Sequence, residues 1–319
     1  MFALPKTLEA RPFARYPDEL RTGTDQSEWN AGQPAGLAAT SFLEGPSFDR
    51  HGILWCVDIP NGRILNIDQH GKFSVAVEYD GWPNGLKIRN DGMVFIADYK
   101  HGIMVHEPES KVVKPFLVRA GIERFKAVND LFFAENGDLF FTDQGLTGLQ
   151  DPTGRVFRVK PDGKIDCLLS NVPSPNGLVM NLHEDMLLLA VTRANAVWRV
   201  PITSAGVAKV GTFIQLSGGI GPDGLALDAS GGLLIAHAGM GAVWVFNARG
   251  EPTFRVNIPD NHLSTNVAFG GPENKDIFVT ESASGLIYRA TLEVAGKPMA
   301  SHVNGGQKAT LDGGVDQKR

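Results

Sequence analysis

Six times along this chain a polar residue stands at the same place in a repeating unit, ahead of a turn: Glu44, Asn84, Asn129, Asn176, Asp223 and Asn266. The strings they open are EGPSFDRHG, NGLKIRNDG, NDLFFAENG, NGLVMNLHED, DGLALDASG and NVAFGGPENKD. Glycine makes the turn in four of them, and the turn is degenerate in the fourth and sixth. Successive positions lie 40, 45, 47, 47 and 43 residues apart. A unit of that size cannot bury its own apolar face, so a chain with this period folds by packing successive units against one another.

Each unit continues with an apolar strand, such as LWCVDI from Leu54, LFFTDQ from Leu139 and IFVTES from Ile277. A third strand of alternating large residues follows, as in GRILNID and GAVWVFN, and then a weaker fourth, as in KFSVAVE from Lys72. Short strands in this number per period predict an all-β chain: a six-bladed β-propeller whose four-stranded blades stand radially around a channel. The 37 glycines and 19 prolines punctuate short strands, and no amphipathic helical run of useful length appears. With 43% hydrophobic residues, the 319-residue chain is expected to form a single domain over 1–319. Ring closure ordinarily mixes the two termini, so the segment 1–43 is expected to supply an outer strand to the sixth blade. The segment 302–319 lacks apolar content and is expected to be disordered.

Composition excludes other classes of function. A net charge of −5, without a basic cluster interleaved with aromatics, argues against nucleic acid as a partner. Nothing approaches a membrane span and the N-terminal stretch has no signal-peptide apolar run, so no membrane partner and a cytoplasmic location are expected. Cys56 and Cys167 fall in apolar strands of different units and are expected to be buried free thiols. His51, His70, His101 and His106 fall at turns or on outer strands and read as surface residues. No Ser-His-Asp arrangement, phosphate loop or nicotinamide fingerprint is present. The oligomeric state is not set by any feature of the sequence.

The repeated polar positions form a ring with chemistry of its own. In a meander blade the start of the first strand lies beside the end of the second, so residues at both points are expected on one face of the disc. The second strands add Asp58, Asp98, Asp143 and His237, fourteen residues after their ring positions, and Glu281 in the sixth unit, one residue longer. The fourth unit breaks this series with Val191, followed by Thr192. One mouth of the channel is thus expected to gather carboxylates, amides and an imidazole, with Asp143, His237 and Glu281 as pocket residues. Converging carboxylates repel unless protonated, solvated or paired with positive charge. Arg and Lys are absent from both sets of positions, so a metal is the natural counter-charge. Oxygen ligands from Glu, Asp and Asn suit one hard divalent cation, Ca2+ above all, with Zn2+, Mn2+ or Mg2+ as alternatives. Asn-Gly and Asp-Gly are also the commonest tight-turn dipeptides. A generic turn drifts in register and takes Ser, Gly or Lys, whereas these six keep one position and one chemistry.

Four of these motifs, Glu44-Gly45-Pro46, Val128-Asn129-Asp130, Pro175-Asn176-Gly177-Leu178 and Pro222-Asp223-Gly224-Leu225, together resemble the senescence-marker, gluconolactonase and regucalcin family. The resemblance implies a six-bladed propeller with one divalent metal on the axis, bound by Glu44, Asn176 and Asp223. Asn129 would complete the shell or face the substrate, and Asn84 would be a pocket residue. Asp223 is implied as base or nucleophile, with Asp143, His237 or Glu281 as other candidates for the base. The implied activity is hydrolysis of a small-molecule lactone, a sugar lactone or a related γ- or δ-lactone, to the hydroxy acid, with the metal polarising the carbonyl. A related branch hydrolyses organophosphates, so one alternative is a phosphotriesterase of the diisopropylfluorophosphatase type on the same site. The other is a non-catalytic binding scaffold. Ala127 stands where regucalcin-type members place an arginine, and Arg124 is a candidate replacement. The loop GLTGLQDPTG, from Gly145 to Gly154, is long enough to overhang the mouth and more apolar than a sugar site demands, which points to a less hydroxylated lactone.

Overall fold

Each repeat unit becomes one blade, and burial falls from the axis outward. In blade 1 the first and second strands, Leu43–Phe48 and Leu54–Asp58, are buried along their whole length, whereas the fourth, Phe73–Glu78, is partly exposed. That gradient explains why first and second strands are so apolar in sequence and fourth strands so weakly marked. The computed structural model describes residues 4–23, 27–33, 38–259 and 262–302. Its six radial sheets are antiparallel meanders, and together they form a six-bladed β-propeller.

The N-terminal segment closes the ring. Blade 6 holds Ser264–Gly270, Asp276–Glu281 and Leu286–Thr291, and its outer strand is Arg11–Arg15, antiparallel to the third. The preceding strand, Lys6–Glu9, adds in parallel to the outer strand of blade 5, Pro252–Asn257. Apolar clusters weld neighbouring blades. One joins blades 4 and 5 through Leu178, Leu189, Leu225 and Ile235. Another joins blades 2 and 3, where Phe95 meets Phe133 edge-on at 5.0 Å between centroids. Past the closing strands, the single helical turn Glu28–Ala31 sets Trp29 against Phe42, with ring centroids 5.1 Å apart.

Two local features shape the ring. In every blade the pairing of first to second strand slips at the ring residue or directly beside it, for example between Val128 and Leu131 and between Pro222 and Leu225. Such a bulge bends the strand and re-aims a side chain. The glycine that follows most ring residues serves close approach between blades. A Cβ on Gly224 would lie 2.0 Å from Asn266 Oδ1, and one on Gly85 would lie 2.6 Å from Asp130 Oδ1.

Three expectations need correction or a limit. Cys56 is buried, but Cys167 is exposed on the outer strand of blade 3, most of which is only partly covered. His106, expected at the surface, is fully buried beside Trp55, with ring centroids 6.4 Å apart. Of the segment 302–319, only His302 lies within the described residues, and it ends the turn Ala300–His302 at the far mouth of the channel. Among the described residues no helix is long and apolar enough to cross a membrane.

Candidate functional site

One mouth of the channel opens into a cavity of about 560 Å³. Glu44, Asn84, Asn129, Asn176 and Asp223 all line it. The sixth ring residue, Asn266, stands behind them and donates its Nδ2–H to Glu44 Oε2 at 2.9 Å. The structure thus brings together five of the six ring positions that the repeat singles out.

Hydrogen bonds set the orientation of the ring side chains. Asn129 Nδ2 donates to Gln144 Oε1 at 3.1 Å and to the Tyr99 hydroxyl at 3.3 Å. The Tyr99 hydroxyl donates to the same Gln144 oxygen, and Gln144 Nε2 donates to Ser174 Oγ at 2.9 Å. With both amide hydrogens of Asn129 committed, its carbonyl oxygen is the atom left to act as a ligand. The Asn176 amide lies close enough to Asp223 to favour its charged form, and the Gly45 N–H donates to Glu44 Oε2 at 2.8 Å.

Electrostatics mark the centre. Burial pushes Glu44 up to about 7, and the neighbouring Asp130 charge adds to the shift. Burial, then the charges of Glu44 and Asp130, hold Asp223 well above the usual carboxylate range. Asp130 is itself raised by burial but has Lys87 Nζ at 3.9 Å. Among the described residues no Lys or Arg forms an ion pair with Glu44 or Asp223, and the cation that tempers Asp223 from a distance is Arg193. No cluster of three or more His, Cys, Asp or Glu poised for a metal occurs among the described residues, so amides must make up any ligand set here. Glu44, Asp223, Asn129 and Asn176 supply the two carboxylates and two amide oxygens that a hard divalent cation takes. Such an ion would neutralise both acids and relieve their repulsion.

The second series does not reach the cavity. Asp143 Oδ1 accepts from the backbone N–H groups of Lys126 and Ala127 at 2.7 and 2.9 Å, while Arg155 Nη2 lies 2.6 Å from Oδ2. Glu281 accepts from the N–H groups of Leu263, Ala283 and Ser284 at 3.2, 3.3 and 2.8 Å. His237 Nδ1 accepts from Trp244 Nε1 at 3.2 Å, so Nε2 carries the proton and donates to Gly218 O at 3.0 Å; burial lowers its pKa. Asp58 and Asp98 are likewise buried and take tyrosine hydroxyls, Tyr16 and Tyr79, each at 2.6 Å. These residues tie down the loops between blades. Asp143, His237 and Glu281 are therefore loop anchors and not pocket walls.

The reason is strand alternation. Asp143 pairs with Val128 and Asp58 with Leu43, each the residue before the ring position. Successive side chains point to opposite faces, so one step along the strand exchanges core for cavity. The cavity is lined by the next residues, Ile59, Tyr99, Gln144, Thr192 and Ala238. Sequence reasoning passes over them because they share no chemistry, although they keep one register. Arg193, one residue further, also lines the cavity. Arg124 does not, since it sits in a small hairpin with its carbonyl accepting from Arg155. Residues 145–150 do overhang the mouth, with Leu146 and Leu149 89% and 70% exposed.

Fold and site together define a six-bladed propeller with an oxygen-lined pocket on its axis. The family model described as "SMP-30/Gluconolactonase/LRE-like region" matches residues 42–283, and the chain belongs to that family. Lactonase drp35 of Staphylococcus aureus strain MRSA252 is 29% identical over 276 residues, covering 82% of this chain and 83% of that protein. Lactonase drp35 of Staphylococcus epidermidis is 29% identical over 230 residues, covering 68% and 70%. Among solved structures, the calcium-binding protein regucalcin from Agrobacterium tumefaciens aligns with a TM-score of 0.74 at 22% identity, over 93% of this chain and 98% of that one. A gluconolactonase from Xanthomonas campestris aligns at 0.69 with 18% identity, over 93% and 98%. At such identities the solved structures speak for the fold.

Proposed function

We propose that this protein is a metal-dependent lactonase that opens a sugar lactone or a related γ- or δ-lactone to the hydroxy acid. The observation that carries this reading is the pair of acids Glu44 and Asp223, without an ion-paired base, beside Asn129 and Asn176 in one cavity. Family membership and the lactonase relatives support it. The donor set favours one divalent ion, calcium first, in keeping with the calcium-binding regucalcin neighbour. When bound, the ion polarises the lactone carbonyl and stabilises the oxyanion that develops as the ring opens.

The chain's own residues divide the remaining work. Glu44 is 4% exposed, whereas Asp223 is only half-buried and faces the open cavity. Asp223 is therefore the carboxylate placed to take the proton of the attacking water or to attack the carbonyl itself. Tyr99 is pushed up to about 12 by burial and by the charges of Asp223 and Glu44, so it stays protonated and keeps Asn129 and Gln144 aligned. Asn84 lines the cavity and contributes polar contact to the substrate. Trp29, Phe42, Ile59 and Ile220 form an apolar wall, which suits a lactone with few hydroxyls.

The test is proton release, followed with a pH indicator, from a panel of aldono-lactones and simpler γ- and δ-lactones, with calcium and then with chelator. Chelator-sensitive acid release above the spontaneous rate, lost in Asp223→Asn, is the expected result. Silence across the panel with bound metal confirmed would overturn the reading and move the weight to phosphotriester hydrolysis or to a binding scaffold.

A further inference from the structure

The fourth unit departs from the others at one point, and the departure brings a positive charge to the cavity. Val191 pairs with Pro175 as Asp143 pairs with Val128, so it holds the loop-anchoring position without an anchoring side chain. The chain turns instead through the 3-10 turn Thr192–Ala194, closed by Asn195 in the left-handed conformation at φ 49°. Hydrogen bonds to the neighbouring loops fix this turn. The Thr192 N–H donates to Ser174 O at 3.1 Å, Thr192 Oγ1 to Pro222 O at 2.8 Å, and Asn195 Nδ2 to Gly218 O at 2.7 Å. Contact with blade 5 is so close that a Cβ on Gly221 would fall 2.1 Å from Thr192 O. The turn is thus seated on the strand that carries Asp223.

Its middle residue, Arg193, lines the cavity. The charged residues lining that cavity are Glu44, Asp223 and Arg193, so Arg193 is its one base among the described residues. Arg193 is exposed to solvent, and no hydrogen bond or ion pair with a described residue engages its guanidinium. A divalent ion would balance Glu44 and Asp223, and Lys87 lies beside Asp130. The balance leaves one positive charge uncompensated at the mouth. A guanidinium on a fixed mount presents a planar fork that matches a carboxylate bidentately, which a lysine in its place would not do.

We propose that Arg193 is a specificity residue and that the lactone taken by this site carries a carboxylate group, which pairs with the guanidinium while the ring carbonyl lies toward Asp223. This rests on the lactonase reading. The test compares wild type, Arg193→Gln and Arg193→Lys, with calcium, on two matched γ-lactones, one bearing a ring carboxylate and the other its neutral primary amide. The quantity read is the ratio of kcat/KM for the carboxylate to that for the amide. A charge-assisted pair at a partly open site predicts that Arg193→Gln lowers this ratio roughly 10- to 100-fold, through KM, and that Arg193→Lys restores part of it. A second readout needs no turnover: calorimetric binding of tetrahydrofuran carboxylate, an inert ring that cannot open, against its amide.

Wild type preferring the amide, or a ratio that Arg193→Gln leaves unchanged, overturns the inference and leaves the lactonase reading standing. No turnover of either lactone, with Arg193-dependent binding of the inert carboxylate, sinks the lactonase reading and supports the anion site. Neither turnover nor binding removes both.

Discussion

Replacing Asp143 by Asn should make the protein easier to unfold while leaving the cavity's chemistry in place. The wild-type carboxylate uses both oxygens, Oδ1 for two backbone N–H groups and Oδ2 for the Nε and Nη2 of Arg155, at 2.7 and 2.6 Å. Asparagine keeps the shape but turns a donor toward one of these partners, and Arg155 then loses its buried counter-charge. The Arg155 side chain is only 9% exposed, so it cannot turn to water for compensation. Breaking a buried pair from one side costs about 3–5 kcal/mol. Here Glu123 at 2.9 Å and Arg124 O at 3.0 Å remain, so a loss of about 2–3 kcal/mol is expected. Urea unfolding would show it as a lower midpoint at unchanged slope. Adding Arg155→Met removes the stranded charge and should recover a good part of the loss, a non-additivity expected only of residues in contact. Calcium affinity should stay close to wild type in both variants. Unchanged stability with lost calcium binding would refute the assignment of Asp143 as a loop anchor.

Three further outcomes follow from the same geometry. In the cation-free protein Glu44 holds its proton to about pH 7 rather than its ordinary 4.5, so its contribution to stability is full below pH 4.5 and lost as pH rises through 7. At 1.36 kcal/mol per unit the loss is roughly 3 kcal/mol, and thermal unfolding at pH 5 and pH 8 should reveal it, with calcium restoring stability at the higher pH. A cation-free protein equally stable at both values would contradict this. Gly224→Ala would set a methyl 2.0 Å from Asn266 Oδ1, whose own amide supports Glu44; a loss of about 1–3 kcal/mol by chemical denaturation is expected, and a variant as stable as wild type would deny the close approach. Tyr99→Phe removes a hydroxyl that orients Asn129, so calcium affinity by titration should fall roughly 10-fold, and an unchanged affinity would exclude Asn129 as an oriented ligand.

The fold was legible because each blade repeats one pattern of burial: largely buried first and second strands, apolar apart from a few fixed polar positions, and outer strands too exposed to leave a clear mark. The ring was legible because its residue type and register recur together, even where the turn after it decays, as at Asn176 and Asn266. The second series misled because its acids look as reactive as those of the ring. Spacing cannot show that Asp143 points one way and Gln144 the other, since that depends on pairing with Val128. Yet a discriminating signal was present in the sequence. The third strands of blades 1 and 3 open with Gly62-Arg63 and Gly154-Arg155, and these arginines pair directly with Asp58 and Asp143 across the sheet. Arg63 lies 4.0 Å from Asp58 and Arg155 lies 2.6 Å from Asp143. An acid with an arginine at the facing position of the next strand already has its counter-charge and has no use for a metal. Glu44 and Asp223 face no such partner. That partner sorts Asp58 and Asp143 from the ring, whereas Asp98 and Glu281 face Gly102 and Leu286 and carry no such mark, and only the loop N–H groups folded onto them show that they too hold the blades together.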